Sequence, residues 1–210
     1  MREVVTKMTL SFLDRFRTRR DQPPLPVFDG LAQVRAYWEG LRSEDGLPQR
    51  SALDPRGLGG VLDRVFLAER IGRGLVQLRV AGSGLGDFAG MDVRGLPLSC
   101  LFAADSRPLL AQCVESVFSG PAAVELDLGS DRLGGETVIA RLLLLPLADV
   151  SDRKLLLGAI SFIAGAVRCK FQIRARREET MPPPAALTVE APPPKPIRRY
   201  GHLALVHSTE

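Results

Sequence analysis

Apolar side chains recur every three or four positions at the start of the chain, at Val5, Met8, Phe12 and Phe16. That stripe predicts an amphipathic helix across residues 6–20. Arg15, Arg17, Arg19 and Arg20 close it ahead of Pro23-Pro24, where cations suit the carbonyl end of a helix dipole. The same spacing returns at Leu31, Val34, Trp38 and Leu41 and predicts a second helix over residues 30–42. Asp54 before Pro55 has the form of a helix start with proline in its first turn, predicting a helix to about residue 62. Residues 65–71 and 75–81 then read as two strands, joined by the hairpin link Gly72-Arg73-Gly74. Short helical pieces fill residues 85–104, and a longer helix covers 106–119 with Leu109, Leu110, Cys113, Val114 and Val117 inward. Three further strands follow at 122–128, 137–147 and 154–163. This order predicts an α+β fold with an antiparallel five-stranded sheet and short helices on one face.

The glycine-rich stretch at residues 82–95 admits two opposed readings. A dinucleotide loop needs G-x-G-x-x-G followed by a full helix. Here Gly82, Gly84 and Gly86 alternate, Asp87 takes the place of the third glycine, and Gly90 and Gly95 interrupt any helix. A carboxylate at that point repels pyrophosphate. No Gly-Lys-Ser or Gly-Lys-Thr occurs in the chain, which removes the P-loop as well. The segment reads instead as tight turns roofing a small domain.

Charge divides the chain into unlike parts. Residues 1–20 carry six Lys/Arg against two Asp/Glu, and residues 165–210 carry eight against four. The intervening residues hold fourteen against eighteen, so the basic character belongs to the ends. Such ends admit nucleic-acid or anionic-membrane contact, but the basic residues are not interleaved with stacking aromatics. Residues 181–197 are dominated by proline and alanine and predict an extended, disordered linker. Residues 198–210 regain apolar character as a tail segment. The domain scheme is therefore a basic amphipathic helix at 1–22, the globular domain at 28–166, a basic extension at 167–180, the linker and the tail.

Candidate chemistry narrows the function mostly by what is missing. Cys100, Cys113 and Cys169 are odd in number and widely spaced, so they define neither a disulfide framework nor a metal cluster. The two histidines, His202 and His207, lie in the tail, which leaves the domain without a Ser-His-Asp triad or an imidazole for zinc or haem. No apolar run reaches the ~18 residues of a membrane span, and the charged N-terminus is a poor signal peptide. A cytoplasmic protein without enzymatic activity is the expectation. Glu125 and Asp127 alternate along one strand like a catalytic carboxylate pair, although the period of two equally marks a solvent face. Arg79, on a strand between apolar neighbours, needs a carboxylate or solvent. Arg50, Asp54 and Arg79 are accordingly candidates for a polar latch or a ligand contact.

Strand, strand, short helices, helix and three strands is the order of a PAS domain. The chain resembles a family of small, stand-alone bacterial PAS-like proteins of the PAS_5 type, frequent in alphaproteobacteria. The matching pieces are Tyr37-Trp38-Glu39, Leu41-Arg42, Leu47-Pro48, Arg50-Ser51, Asp54-Pro55, Val65-Phe66-Leu67 and Leu78-Arg79-Val80-Ala81-Gly82, with Phe88, Gly90 and Gly95 in the roof. The resemblance covers about residues 30–165. It implies signal sensing or regulatory protein contact, and a ligand pocket between sheet and roof. That pocket would be lined by Leu78, Val80, Phe88, Leu101, Phe102, Leu126, Leu142 and Ile160, residues that would equally fill a closed core.

No cofactor is predicted. Haem-binding members use an axial histidine, which the domain lacks. Flavin photosensors use an Asn-Cys-Arg-Phe-Leu motif, and Cys100 in Leu98-Ser99-Cys100-Leu101-Phe102 lacks the flanking Asn and Arg. The expected function is a non-enzymatic sensory or regulatory module in bacterial signalling. It acts by protein–protein interaction with a signalling partner or as a homodimer, through the stripe Val5, Met8, Phe12 and Phe16, with scope for small-ligand control. The alternatives are a ligand sensor with a filled pocket, and a nucleic-acid or membrane adaptor using the basic termini.

Overall fold

The computed structural model describes residues 28–43, 46–130 and 137–181. Its strands are β1 (Val65–Gly72), β2 (Leu75–Ala81), β3 (Ala122–Ser130), β4 (Ala140–Leu147), β5 (Leu155–Phe162) and β6 (Phe171–Thr180). Its helices are α1 (Leu31–Gly40), α2 (Ser83–Ala89) and α3 (Arg107–Ser119), with short 3-10 segments between. The strands form a single sheet in the order β2-β1-β5-β4-β3-β6, and every neighbouring pair is antiparallel.

The centre of the sheet follows from composition. β4 and β5 are apolar at nearly every position and buried almost throughout, which requires cover on both faces. Alternation then divides their side chains. Leu142, Leu144, Leu156 and Ile160 enter a core roofed by α2 and α3, together with Leu110, Cys113, Val114 and Val117 of α3. Leu143, Leu145, Leu147, Leu155 and Leu157 enter a second core under α1, with Leu31, Val34 and Trp38. Trp38 fixes α1 in place, its Nε1 donating to the Pro146 carbonyl at 2.9 Å. The β3 ladder ends at Leu144, so Pro146 lies where a missing N–H breaks no bond to β3.

The α+β class and the antiparallel sheet are as the pattern predicts, with two differences in detail. The sheet has six strands rather than five. Residues 171–180, expected as part of a basic extension, run along β3 from Phe171 opposite Ser130 to Thr180 opposite Ala122. Their charged residues hid a strand that buries little but its first residue, as suits a sheet edge. Helices also cover both faces rather than one, because the period-two runs of β4 and β5 are apolar on both sides. The helix expected from Pro55 to Leu62 is two 3-10 pieces, Pro55–Leu58 and Leu62–Arg64. Gly57, Gly59 and Gly60 weaken an α-helix there, and Gly57 lets the chain pass against the Tyr37 ring, where a Cβ would lie 2.3 Å from Cε2. The stripe at Val5, Met8, Phe12 and Phe16, the proline-rich residues from 182 onward and the tail lie outside the described residues.

Candidate functional site

Six of the eight residues expected to line a sheet-to-roof pocket come together in the roofed core: Leu78, Leu101, Phe102, Leu126, Leu142 and Ile160, with Phe88 packed against them. They fill it. Leu78 and Leu126 have 0% of their surface exposed, and a void large enough for water against either would leave exposed surface. Phe88 lies in an aromatic stack, its ring centroid 4.4 Å from Phe162 and 5.0 Å from Phe171, with Phe102 edge-on to Phe171 at 5.6 Å. Aromatic pairs of this kind contribute about 0.5–1.5 kcal/mol each beyond their area burial.

Val80 is the exception, and a single extra residue explains it. Ala68 pairs with Leu78 whereas Leu67 pairs with Val80, so Arg79 is a β-bulge in β2. Strict alternation from Val76 and Leu78 would send Val80 into the roofed core. The bulge instead turns it to the opposite face beside Leu67, where 53% of its surface is exposed.

Val80 thereby becomes part of an open apolar groove of about 520 Å³. Val65, Leu67, Val80 and Leu157 lie along the sheet side of this groove, while Leu53, Leu58 and Leu62 come from the irregular connection between α1 and β1. Leu62 is 44% exposed. The connection is held in place at both ends. Arg50 N donates to Ala148 O at 2.8 Å. Tyr37 Oη accepts from Asp54 N at 2.7 Å and donates to Asp54 O at 3.0 Å, while Asp54 Oδ1 accepts from Arg56 N and caps the 3-10 turn. Gly82 lies across the end of the groove with its N–H on Val65 O at 2.8 Å. A Cβ there would lie 2.3 Å from Asp63 O. The first glycine of the glycine-rich stretch is thus required by a close backbone crossing. Gly90 and Gly95 turn the roof at φ 65° and 78°.

The proposed latch separates into unlike parts. Arg50 and Asp54 both line the groove. Arg79 does not join them; its Nε donates to Glu69 at 2.7 Å across the β1–β2 hairpin. No ion pair of Arg50 occurs among the described residues, so its guanidinium and the Asp54 and Asp63 carboxylates mark the groove's polar rim. Groove residues Leu53, Leu58, Leu62 and Leu157 were not singled out from sequence, and Leu67 only as part of a matching piece of the first strand. The signal open to such reading was faint, a leucine at 62 between glycines and charges with no periodic partner.

Glu125 and Asp127 point to the face that α1 covers, where they meet guanidinium groups. Asp127 accepts from Arg141 Nε at 2.6 Å and from Arg177 Nη1 and Nη2 at 2.8 and 2.9 Å. Glu125 accepts from Arg177 Nε at 3.2 Å, and the Arg141 guanidinium lies 4.6 Å from the Phe28 ring centroid. Two carboxylates tied to two cations form a structural ladder across β6, β3 and β4. A second cleft, about 310 Å³, opens at the edge of the roof between Phe88, Met91, Leu101, Arg168 and Cys169. Cys100 stands beside it on the 3-10 turn Leu98–Leu101, its carbonyl accepting from Lys170 Nζ. Among the described residues no helix is long and apolar enough to cross a membrane, and no cluster of three or more His, Cys, Asp or Glu could hold a metal.

No curated protein matches the chain. The model of one family, described as PAS domain, matches residues 29–161, which takes in α1, the groove, the roof and five of the six strands. The chain belongs to the PAS domain family.

Proposed function

We propose that this chain is a non-enzymatic bacterial regulatory module, working in the cytoplasm, whose output is protein–protein contact through the groove floored by Leu67 and Val80. A PAS domain is in general a sensory or regulatory module. One observation carries the finer reading: the roofed core is filled, while apolar surface is exposed at Leu62 and Val80 in a groove rimmed by Arg50, Asp54 and Asp63. An apolar floor with a charged rim is the make-up of a contact site for another polypeptide. Affinity purification from the native cell tests it, comparing the wild type with Leu62→Asp and Val80→Asp. Both residues are well exposed, so the fold should tolerate either charge. The expected result is loss of the same co-purifying proteins in both variants and their retention in Val150→Asp, a change at an exposed residue outside the groove. Retention of every partner in both groove variants would refute the assignment.

The cleft at the roof edge supports a second reading, a sensor for a small anionic ligand with an apolar body. Phe88 and Leu101 supply the apolar wall, and Arg168 and Lys170 supply the cations. Native mass spectrometry of protein purified from the native cell distinguishes the two. A retained small molecule, lost from Arg168→Ala, would favour this second reading.

A further inference from the structure

We propose that the groove has an occupant within the chain itself: the N-terminal segment at residues 5–16, seated through Val5, Met8, Phe12 and Phe16. This inference rests on the groove being the contact site. The segment would then be an intrasteric plug that a partner must displace.

Three observations converge on that occupant. The first is the point from which the segment departs. Asp29 O accepts from Arg64 Nη1 at 3.0 Å, and Gly30, at φ +87°, turns so close to Val61 that a Cβ would lie 2.6 Å from Cγ1. The chain is therefore fastened at residues 29–30 onto residues 61–64, and residues 62 and 63 of that stretch line the groove. Residues 21–27, between the end of the expected helix and residue 28, would span roughly 23 Å if extended, at about 3.3 Å per residue. A tether of that length holds the stripe at an effective concentration in the millimolar range, an advantage that no free partner has.

The second observation is apolar complementarity. Leu62 and Val80 are two of the few large apolar side chains left exposed among the described residues, and both belong to this groove. The sequence provides, on the chain that leaves beside them, a stripe of four large apolar residues at helical spacing. Such a helix needs a groove to bury its i, i+3, i+7 face. The third is charge. The stripe ends among Arg15, Arg17, Arg19 and Arg20, and the rim offers the exposed carboxylates of Asp54 and Asp63. Arg50 is the cation among the groove-lining residues and Arg64 lies 3.7 Å from Asp63, which leaves Asp54, without an ion pair among the described residues, as the rim carboxylate open to a basic segment.

Disulfide trapping in the full chain tests the proposal. Phe12→Cys is paired in turn with Leu62→Cys, Val80→Cys and, as a control outside the groove, Val150→Cys, all with Cys100→Ser and Cys169→Ser. Under mild oxidation the first two pairs should form intramolecular bonds several-fold faster than the control, and Met8→Glu should abolish that preference. Bonds between two chains would overturn the proposal in favour of a second copy as occupant. Equal rates at all three positions would overturn it in favour of an unplugged groove. Partner capture by the same full chain keeps the two readings apart. If Leu62→Asp and Val80→Asp lose the partner but trapping shows no preference, the contact site stands and the plug falls. If trapping succeeds and those variants keep every partner, the plug stands as a structural element and the contact reading falls. If both hold, Met8→Glu should raise partner capture several-fold.

Discussion

Replacing Gly158 with alanine would test how tightly the roofed core is filled, and with it the reason for placing function on the outer groove. Gly158 lies on β5 directly opposite Phe66 of β1, and the Phe66 ring covers it: an added Cβ would lie 2.0, 2.2 and 2.6 Å from Cζ, Cε2 and Cε1. Phe66 is buried against the leucines of that core, with 1% of its surface exposed. The methyl must therefore displace a packed ring, an overpacking cost of about 1–3 kcal/mol. For a chain of this size that lowers the melting temperature by roughly 2–12 °C. Phe66→Ala alone should cost about 3–5 kcal/mol through lost burial and the cavity left behind. The double variant is decisive, because the methyl introduced by Gly158→Ala would then enter the space the ring vacated. Its destabilisation should fall short of the sum of the singles by at least about 1 kcal/mol in urea or thermal unfolding. Additivity to within about 0.5 kcal/mol would mean that the ring does not bear on Gly158, and the filled-core reasoning would fail with it.

Two further predictions concern polar groups that the fold has enclosed. Burial pushes the Cys113 thiol above its ordinary value, and Cys113 has no exposed surface, whereas Cys100 and Cys169 are part-exposed. Only the thiolate reacts, so a maleimide at neutral pH should label Cys100 and Cys169 quickly and Cys113 only on unfolding, as peptide mapping would read. Equal labelling of all three in the native protein would contradict the packing of α3. In the ion ladder, Asp127 accepts three bonds from Arg141 and Arg177 and is largely enclosed, while Glu125 is more open. Asp127→Asn should cost about 1–3 kcal/mol of unfolding free energy, and Glu125→Gln less than about 1 kcal/mol. The reverse order in urea unfolding would show that Glu125, not Asp127, anchors β6.

The parts of the fold that a period could announce were legible in the sequence. β4 and β5 are apolar at nearly every position, α1 carries its stripe at Leu31, Val34 and Trp38, and the hairpin β1–β2 has its glycine link. β6 was not legible, because Arg174, Arg176, Arg177, Glu178 and Glu179 read as a solvated extension. An edge strand with one partner tolerates such residues, and only the backbone ladder to β3 reveals it. Six of the apolar residues expected around a pocket meet in one core, yet a set of apolar residues does not state whether they enclose a space or occupy it.

The placement of Val80 has the greater consequence for function. A period of two is a rule about neighbours, and one unpaired residue inverts it for everything beyond. Arg79 is that residue, so the sequence reading of Leu78 and Val80 as one inward face holds for the first position and reverses at the second. The reversal removes an apolar side chain from the core and places it beside Leu67, where Leu53 and Leu62 converge from a connection that has no period at all. A groove assembled from a bulge and an irregular loop leaves almost no pattern in the sequence. It is nevertheless apolar surface left open beside a core in which Leu78 and Leu126 are fully buried. The bulge at Arg79 is therefore where the fold departs from simple alternation and where the groove begins. Deleting Arg79 would restore the alternation and turn Val80 back toward the roof.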